Sequence, residues 1–226
     1  MMTREEFHKI FPELVMGYQP NPEVLDHIHS LTLLMLIGPS GTGKTTLMNR
    51  LGLPYVPSDV TRPKRPEEKE DIDYHFRTDY DRIIEQIKAG EFVQAAVGPG
   101  GDFYSTLASS YPRTGVAIIS IVADVVPVFR DLVFGKTISA FIAPPTFEEW
   151  MRRLRSHDLA GDELVRRLSE ARRSLIFALN DKTIHFILND DIEPATEQLK
   201  NLLSGAVDDQ REKRARRAAL NMLDSI

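Results

Sequence analysis

Gly38-Pro39-Ser40-Gly41-Thr42-Gly43-Lys44-Thr45 fits the spacing G-x-x-x-x-G-K-[ST] at every fixed position. Immediately before it runs Leu31-Thr32-Leu33-Leu34-Met35-Leu36-Ile37, which is apolar on both faces, as a strand buried inside a parallel sheet must be. The stretch after it, from about Gly43 to Leu51, has the spacing of a helix. Strand, glycine-rich loop and helix, in that order, are the context a phosphate-binding loop requires. Glycines let successive backbone N–H groups turn inward around an anion. The following helix presents unpaired N–H groups and the positive end of its dipole. Lys44 adds a point charge for the β- and γ-phosphates, and Thr45 a hydroxyl for Mg²⁺. Gly38, Ser40, Gly41, Thr42, Gly43, Lys44, Thr45 and Thr46 are therefore the candidate contacts to a nucleoside triphosphate.

Working outward, Val116–Val122, Thr137–Ala143 and Ile184–Leu188 read as further buried strands. Helices are expected over 146–155, 162–179, with Asp162 as cap, and 192–203. Strands alternating with helices imply a parallel sheet covered on both faces, so the fold class is α/β. Closer to the N-terminus, Thr3 with Glu6 forms a candidate capping box, and Asn21-Pro22 a candidate helix start. Phe7, Ile10, Phe11 and Leu14, with Val24, Leu25 and Ile28, are apolar at helical spacing. They are expected to pack on the core or on a partner subunit. A helix over Tyr80–Lys88, a strand over Phe92–Val97 and a turn at residues 98–101 follow, while 59–79 reads as mostly loop. The segment after Gly205 is highly charged and reads as a solvated helix or a disordered end.

Thr61-Arg62-Pro63-Lys64-Arg65 sets two fork-shaped cations three residues apart in a proline-stiffened loop. Arginine suits bidentate phosphate contacts. Tyr74 follows and offers a hydroxyl. Glu67, Glu68, Glu70 and Asp71 lie close by, so a solvated charge loop is the competing reading. A second basic stretch runs from Arg152 to Arg173, with seven arginines against four acids; two or three of those arginines are expected to act on phosphates.

The whole chain carries 28 Lys and Arg against 33 Asp and Glu, a formal net charge of −5, which disfavours a nucleic-acid or membrane-surface binder. Hydrophobic residues make up 42% of it, enough for a core. The absence of Cys excludes disulfides and thiol chemistry. No apolar run reaches the length of a membrane span, and Met1–Phe11 carries no apolar leader segment, so a cytoplasmic location is expected.

Taken in order, GPSGTGKTTL (38–47), TRPKR (61–65), DIDYHF (71–76), GEF (90–92), IAPPTFEEWMRRL (142–154), VRRLSEAR (165–172) and ILNDD (187–191) resemble guanylate kinase. The resemblance spans about residues 31–204. It implies a three-layer P-loop core with a nucleoside-monophosphate-binding insert near 58–110 and a lid near 153–167. The domain would be 31–205, with an N-terminal helical extension at 1–30 and a charged tail at 206–226. The implied reaction moves the γ-phosphoryl of ATP onto a nucleoside monophosphate, most simply GMP to GDP, with Mg²⁺. Carried over position by position, Ser58, Arg62, Arg65, Tyr74 and Tyr104 match contacts to the acceptor phosphate. Arg153 and Arg167 match lid arginines, with Arg166 a further candidate, and Asn189 matches a loop that meets adenine. Catalytic roles accordingly fall to Lys44, Arg62, Arg153 and Arg167.

Base reading departs from the family pattern. Gln94 stands where the family has a guanine-binding Glu, and an amide offers one acceptor oxygen where a carboxylate offers two. Ser120 and Val122 stand where a D-x-D is usual, with Asp124 two residues further on. Thr106 retains a hydroxyl for the base, and His157 replaces a lid arginine. Two other readings therefore stay open: a different phosphate acceptor, such as another nucleotide or a ribosyl phosphate, and a nucleotide-binding scaffold with weakened catalysis. The expected partners are small nucleotides, with a homo-oligomer or partner subunit reached through residues 1–30.

Overall fold

The computed structural model describes residues 2–65, 68–98, 100–155 and 161–226. Along the chain run α1 (Arg4–Val15), α2 (Pro22–His29), β1 (Leu31–Ile37), α3 (Lys44–Leu51), β2 (Ser58–Val60), β3 (Tyr74–Phe76), α4 (Tyr80–Ala89), β4 (Phe92–Val97), β5 (Phe103–Leu107), β6 (Gly115–Ile121), α5 (Val126–Asp131), β7 (Lys136–Ala143), α6 (Phe147–Arg155), α7 (Asp162–Asn180), β8 (Ile184–Leu188), α8 (Ile192–Leu203) and α9 (Asp209–Ser225). Single 3-10 turns lie at Ala108–Ser110 and Ala123–Val125. The chain divides into two compact units: residues 1–32, 54–117 and 128–135, and residues 33–53, 118–127 and 136–226.

The second unit holds the sheet ordered β6-β1-β7-β8. β7 and β8 pair in parallel, Ser139 facing Ile184 and Ala143 facing Leu188. Leu33–Ile37 is fully buried, as a strand apolar on both faces should be. α8 and α9 pack on β7 and β8, and α8 also meets α3. Two details differ from the expectations. Gly161, not Asp162, is the cap residue of α7, and no side chain caps that end. The charged segment after Gly205 is a helix, α9, as one of its two readings had it, but one side is buried through Ala215, Ala218, Ala219 and Met222 and not solvated. Its charges lie on the faces left over: Arg216 donates to the Leu179 carbonyl at 3.0 Å and lies 4.4 Å from the centre of the Phe186 ring.

The first unit holds the sheet ordered β3-β2-β5-β4. β2 runs parallel to β3 and antiparallel to β5, and β4 is antiparallel to β5. The strands β2 and β3 fall inside the stretch read as loop: each is only three residues long, too short to show a period of two. β5, which carries Tyr104, follows a glycine turn and was likewise not expected. α1 and α2 start as the sequence indicates: the Thr3–Glu6 capping box is complete, and the Asn21 side chain accepts from Val24 N–H. Phe7 and Phe11 are fully buried in a cluster with Ile83, Ile84, Ile87, Phe92 and Phe103. The apolar face of α1 is thus covered by this chain's own α4 and β4, while Ile10 remains exposed.

Candidate functional site

In the second unit, the β1–α3 loop has left-handed or otherwise positive φ at Gly38, Gly41 and Gly43, which is what turns its N–H groups inward. Neighbours leave no room for a side chain at Gly43: a Cβ there would lie 2.3 Å from Asn189 Nδ2. That amide nitrogen donates to the Thr42 carbonyl at 2.7 Å, and Asn189 N–H donates to Ala143 O at 2.8 Å. Asn189 therefore holds the loop backbone, a role not assigned to it from sequence. Thr42 is fully buried and its hydroxyl donates to the Pro39 carbonyl at 3.0 Å. Trp150, expected only in the core, is buried but also donates through Nε1 to the Ser40 carbonyl at 2.9 Å.

The Lys44 ammonium is folded onto the loop's own carbonyls, Gly38 O at 2.5 Å and Pro39 O at 3.0 Å. Burial, with Arg167 adding repulsion, pushes its pKa down from 10.5 to about 8. Two cations this close, enclosed with glycine amides, fit a polyanion. Arg167 is buried, donates to Ser40 Oγ at 2.9 Å and is held by Glu163, also at 2.9 Å. Arg153 bonds Glu149 at 2.7 Å and the Asn189 carbonyl at 3.3 Å. The structure thus brings Ser40, Thr42, Gly43, Lys44, Arg153, Arg167 and Asn189 together. Arg166 is engaged by Glu163 at 2.5 Å and Glu170 at 2.5 Å instead. Thr45 and Thr46 sit exposed in the first turn of α3. Among the described residues no cluster of three or more His, Asp or Glu stands ready for a metal ion. Ser120 is partly exposed in β6, Val122 is exposed, and Asp124 is exposed on its 3-10 turn. His157 and the rest of residues 156–160 of the expected lid lie outside the described residues.

In the first unit, Arg62 and Arg65 converge on one carboxylate, that of Glu68, while Tyr74 and Tyr104 lie against Arg62. Arg62 donates from Nη1 at 2.7 Å and Nη2 at 2.5 Å to the Glu68 oxygens, and from Nε to the Tyr104 hydroxyl at 3.0 Å. Its guanidinium lies 4.8 Å from the Tyr74 ring centre and 5.5 Å from that of Phe76. Arg65 Nη1 stands 3.6 Å from Glu68, whose carboxylate also accepts from Arg65 N–H at 2.9 Å. Burial opposes ionisation of Glu68, but Arg62 and Arg65 outweigh it and hold its pKa below the ordinary value. Burial raises Tyr74, helped by Tyr104, so its hydroxyl stays a donor at neutral pH. Glu68 was grouped with its neighbours as solvated charge, and nothing in the sequence separates it from Glu67. Ser58 begins β2 and is half-buried, its Cα opposite that of Tyr74.

Gln94 and Thr106 face one another in the β4–β5 ladder. The Thr106 hydroxyl is buried and shares a hydrogen bond with Tyr111 at 2.9 Å. Gln94 is buried, and its Oε1 has no hydrogen-bond partner among the described residues.

The guanylate kinase family model matches residues 30–206, most of the chain. This chain belongs to the guanylate kinase family. It is 32% identical over 182 residues to a guanylate kinase of Frankia casuarinae, covering 77% of this chain and 97% of that one. It is 34% identical over 188 residues to a guanylate kinase of Myxococcus xanthus, covering 76% and 85%. Among solved structures, a guanylate kinase from Anaplasma phagocytophilum superposes with a TM-score of 0.56 at 22% identity, over 82% of this chain and 90% of that one, which bears on the fold. The P-loop α/β architecture is that of the guanylate kinase family. Among the described residues no helix is long and apolar enough to cross a membrane.

Proposed function

We propose that this chain transfers the γ-phosphoryl group of ATP to GMP, giving ADP and GDP. The observation that carries the acceptor half is the grip of Arg62 and Arg65 on one carboxylate, with Tyr104 and Tyr74 beside Arg62: the same fork geometry accepts a monophosphate dianion once Glu68 yields it. The Gly38–Thr45 loop, with Lys44, holds the ATP phosphates. Arg153 and Arg167 neutralise charge on the transferring group. Thr45 would offer its hydroxyl to Mg²⁺, which when bound would supply charge neutralisation for the ATP phosphates. A phosphate oxygen of GMP attacks the γ-phosphorus, the bond to the β,γ-bridging oxygen breaks, and ADP leaves. That oxygen is already ionised, so no general base is needed, and positioning with charge neutralisation is the chemistry the chain supplies.

A second reading concerns the base. The orphaned Gln94 Oε1 is one acceptor, with an amide donor beside it, and that pair also matches an adenine edge. A panel of nucleoside monophosphates, read as ADP release, tests both readings. Turnover with GMP above the others supports the first. Preference for another monophosphate supports the second. Absence of turnover with every acceptor while ATP still binds would sink both and leave a binding module. Lys44→Ala, the control, is expected to lose about 10² or more in rate.

A further inference from the structure

Residues before 30 lie outside the matched family region, yet they hold the acceptor-binding strands at separate points. The first is Asp102. Arg4 Nη2 lies 2.7 Å from its carboxylate and His8 Nε2 3.5 Å. Asp102 closes the glycine turn through its carbonyl, which accepts from Gly98 N–H at 2.8 Å. The next residue, Phe103, sets its ring edge-on to Phe11 and Phe7 of α1, at 5.7 and 6.0 Å between centres. The residue after that is Tyr104, whose ring lies so close over Gly98 that a Cβ there would come within 2.3 Å of it. The path from α1 to the hydroxyl that meets Arg62 is therefore short and closely packed.

The second point is Tyr18. Its hydroxyl donates to the Phe92 carbonyl at 2.7 Å and accepts from Phe92 N–H at 2.9 Å. The β4–β5 pairing is irregular between Phe92 and Gln94. Such a bulge leaves backbone groups unpaired and re-aims the side chains beside it. Tyr18 bonds both backbone groups of Phe92, at the near edge of the irregularity, and Gln94, opposite Thr106, is the first paired residue beyond it. Burial pushes the Tyr18 pKa up to about 12, so it remains a donor at neutral pH. The third point is Asn21, which donates from Nδ2 to Ala89 O at 3.0 Å and from its N–H to Gly90 O at 2.9 Å, just ahead of β4.

We propose that the N-terminal segment is a positioning brace for the acceptor site: Arg4, through Asp102 and Phe103, sets Tyr104, and Tyr18, through Phe92, sets Gln94. The inference rests on reading the Arg62–Tyr104 cluster as the site of the acceptor monophosphate. Steady-state kinetics with both substrates test it on Tyr18→Phe, Arg4→Gln, Arg4→Lys and Tyr104→Phe. Tyr18→Phe and Arg4→Gln are each expected to raise the KM for GMP by about 2- to 10-fold, the range of one modest hydrogen bond or ion pair. KM for ATP should stay within about twofold, and Arg4→Lys should restore most of the loss. A fall in kcat alone, tracking the folded fraction with both KM values unchanged, would make the segment merely structural and overturn the proposal. So would equal rises in both KM values. Arg4 is 47% exposed, so Arg4→Gln carries the test even where Tyr18→Phe impairs folding. Tyr104→Phe keeps the two failures apart. A changed KM for GMP there, with silent brace variants, overturns the brace alone, whereas an unchanged one overturns the acceptor site itself.

Discussion

At the residue scale, Lys44 is folded onto the carbonyls of its own loop. Enclosure in the loop and the neighbouring Arg167 lower its pKa from 10.5 to about 8. Relative to the unfolded chain the charged form is disfavoured, so this group's contribution to stability improves as pH rises from about 8 towards 10.5 and is constant below about 8. Bound phosphates reverse the balance by favouring the charged form. Binding of ATP above pH 8 should therefore take up a proton. Calorimetry at pH 8.5 in two buffers of different ionisation enthalpy is expected to show uptake of up to about three-quarters of a proton, falling to about a tenth at pH 7. Uptake that persisted in Lys44→Ala would assign the proton to another group. Glu68 plays the matching part in the first unit, since a carboxylate between Arg62 and Arg65 keeps their charge compensated, and on the proposed function a phosphate would replace it. The hydrogen bonds of Asn189 and Trp150 to the loop, and the pairing of Glu68 with Arg62, were not legible in the sequence because each acts through a partner remote or indistinct along the chain, Thr42, Ser40 and Arg62.

At the element scale, α9 is the clearest case of a role invisible to pattern. Its sequence, DQREKRARRAALNMLDS, is dominated by charge, and its buried side is made of small residues with one methionine. Yet it packs on β8 and β7 and is tied by Arg211 to Leu188 O at 3.1 Å and to Asp190 at 2.7 Å. Met222→Ala is expected to cost about 2–4 kcal/mol, the usual loss for a large buried side chain. For a chain of this size that lowers Tm by about 5–15 °C in a thermal melt followed by circular dichroism. A change under about 1 °C would mean that α9 does not contribute its packing in solution. The short strands β2, β3 and β5 were not legible for a different reason. Their pairing is what makes them strands: Asp59 opposite His75 and Ser105, Val60 opposite Phe76 and Tyr104. No local propensity in three to five residues encodes a partner.

At the scale of the whole molecule, the two units carry different parts of the proposed chemistry. Residues 33–53 with 136–226 hold the loop, Arg153 and Arg167, while 54–117 hold Arg62, Arg65, Tyr74, Gln94 and Tyr104. Each nucleotide should then stabilise its own unit by mass action. In hydrogen exchange, ATP alone is expected to protect peptides from 38–51, and GMP alone peptides covering 58–76 and 92–107. At about 100 times the Kd the protection is worth about 2.7 kcal/mol. GMP protection confined to 38–51 would place the acceptor elsewhere. Residues 1–32 fall in the acceptor unit, which is why the apolar positions Phe7 and Phe11, legible as one helix face, are satisfied inside this chain.

The sequence alone determined the parts of this protein whose chemistry is local. The spacing of Gly38, Gly43, Lys44 and Thr45, the doubly apolar run of β1, the caps at Thr3 and Asn21, and the order of family blocks over 31–204 all follow from neighbours in the chain. Tertiary structure alone decided which charged and polar groups meet: Glu68 with Arg62, Arg167 with Ser40, Arg4 with Asp102. It also decided that Asn189 and Trp150 support the loop and that the N-terminal helix lies against the acceptor strands. Backbone turns and strand periods are set by a residue and its nearest few. A hydrogen bond or an ion pair acts over about 3–4 Å, and only folding brings residues a hundred positions apart within that reach.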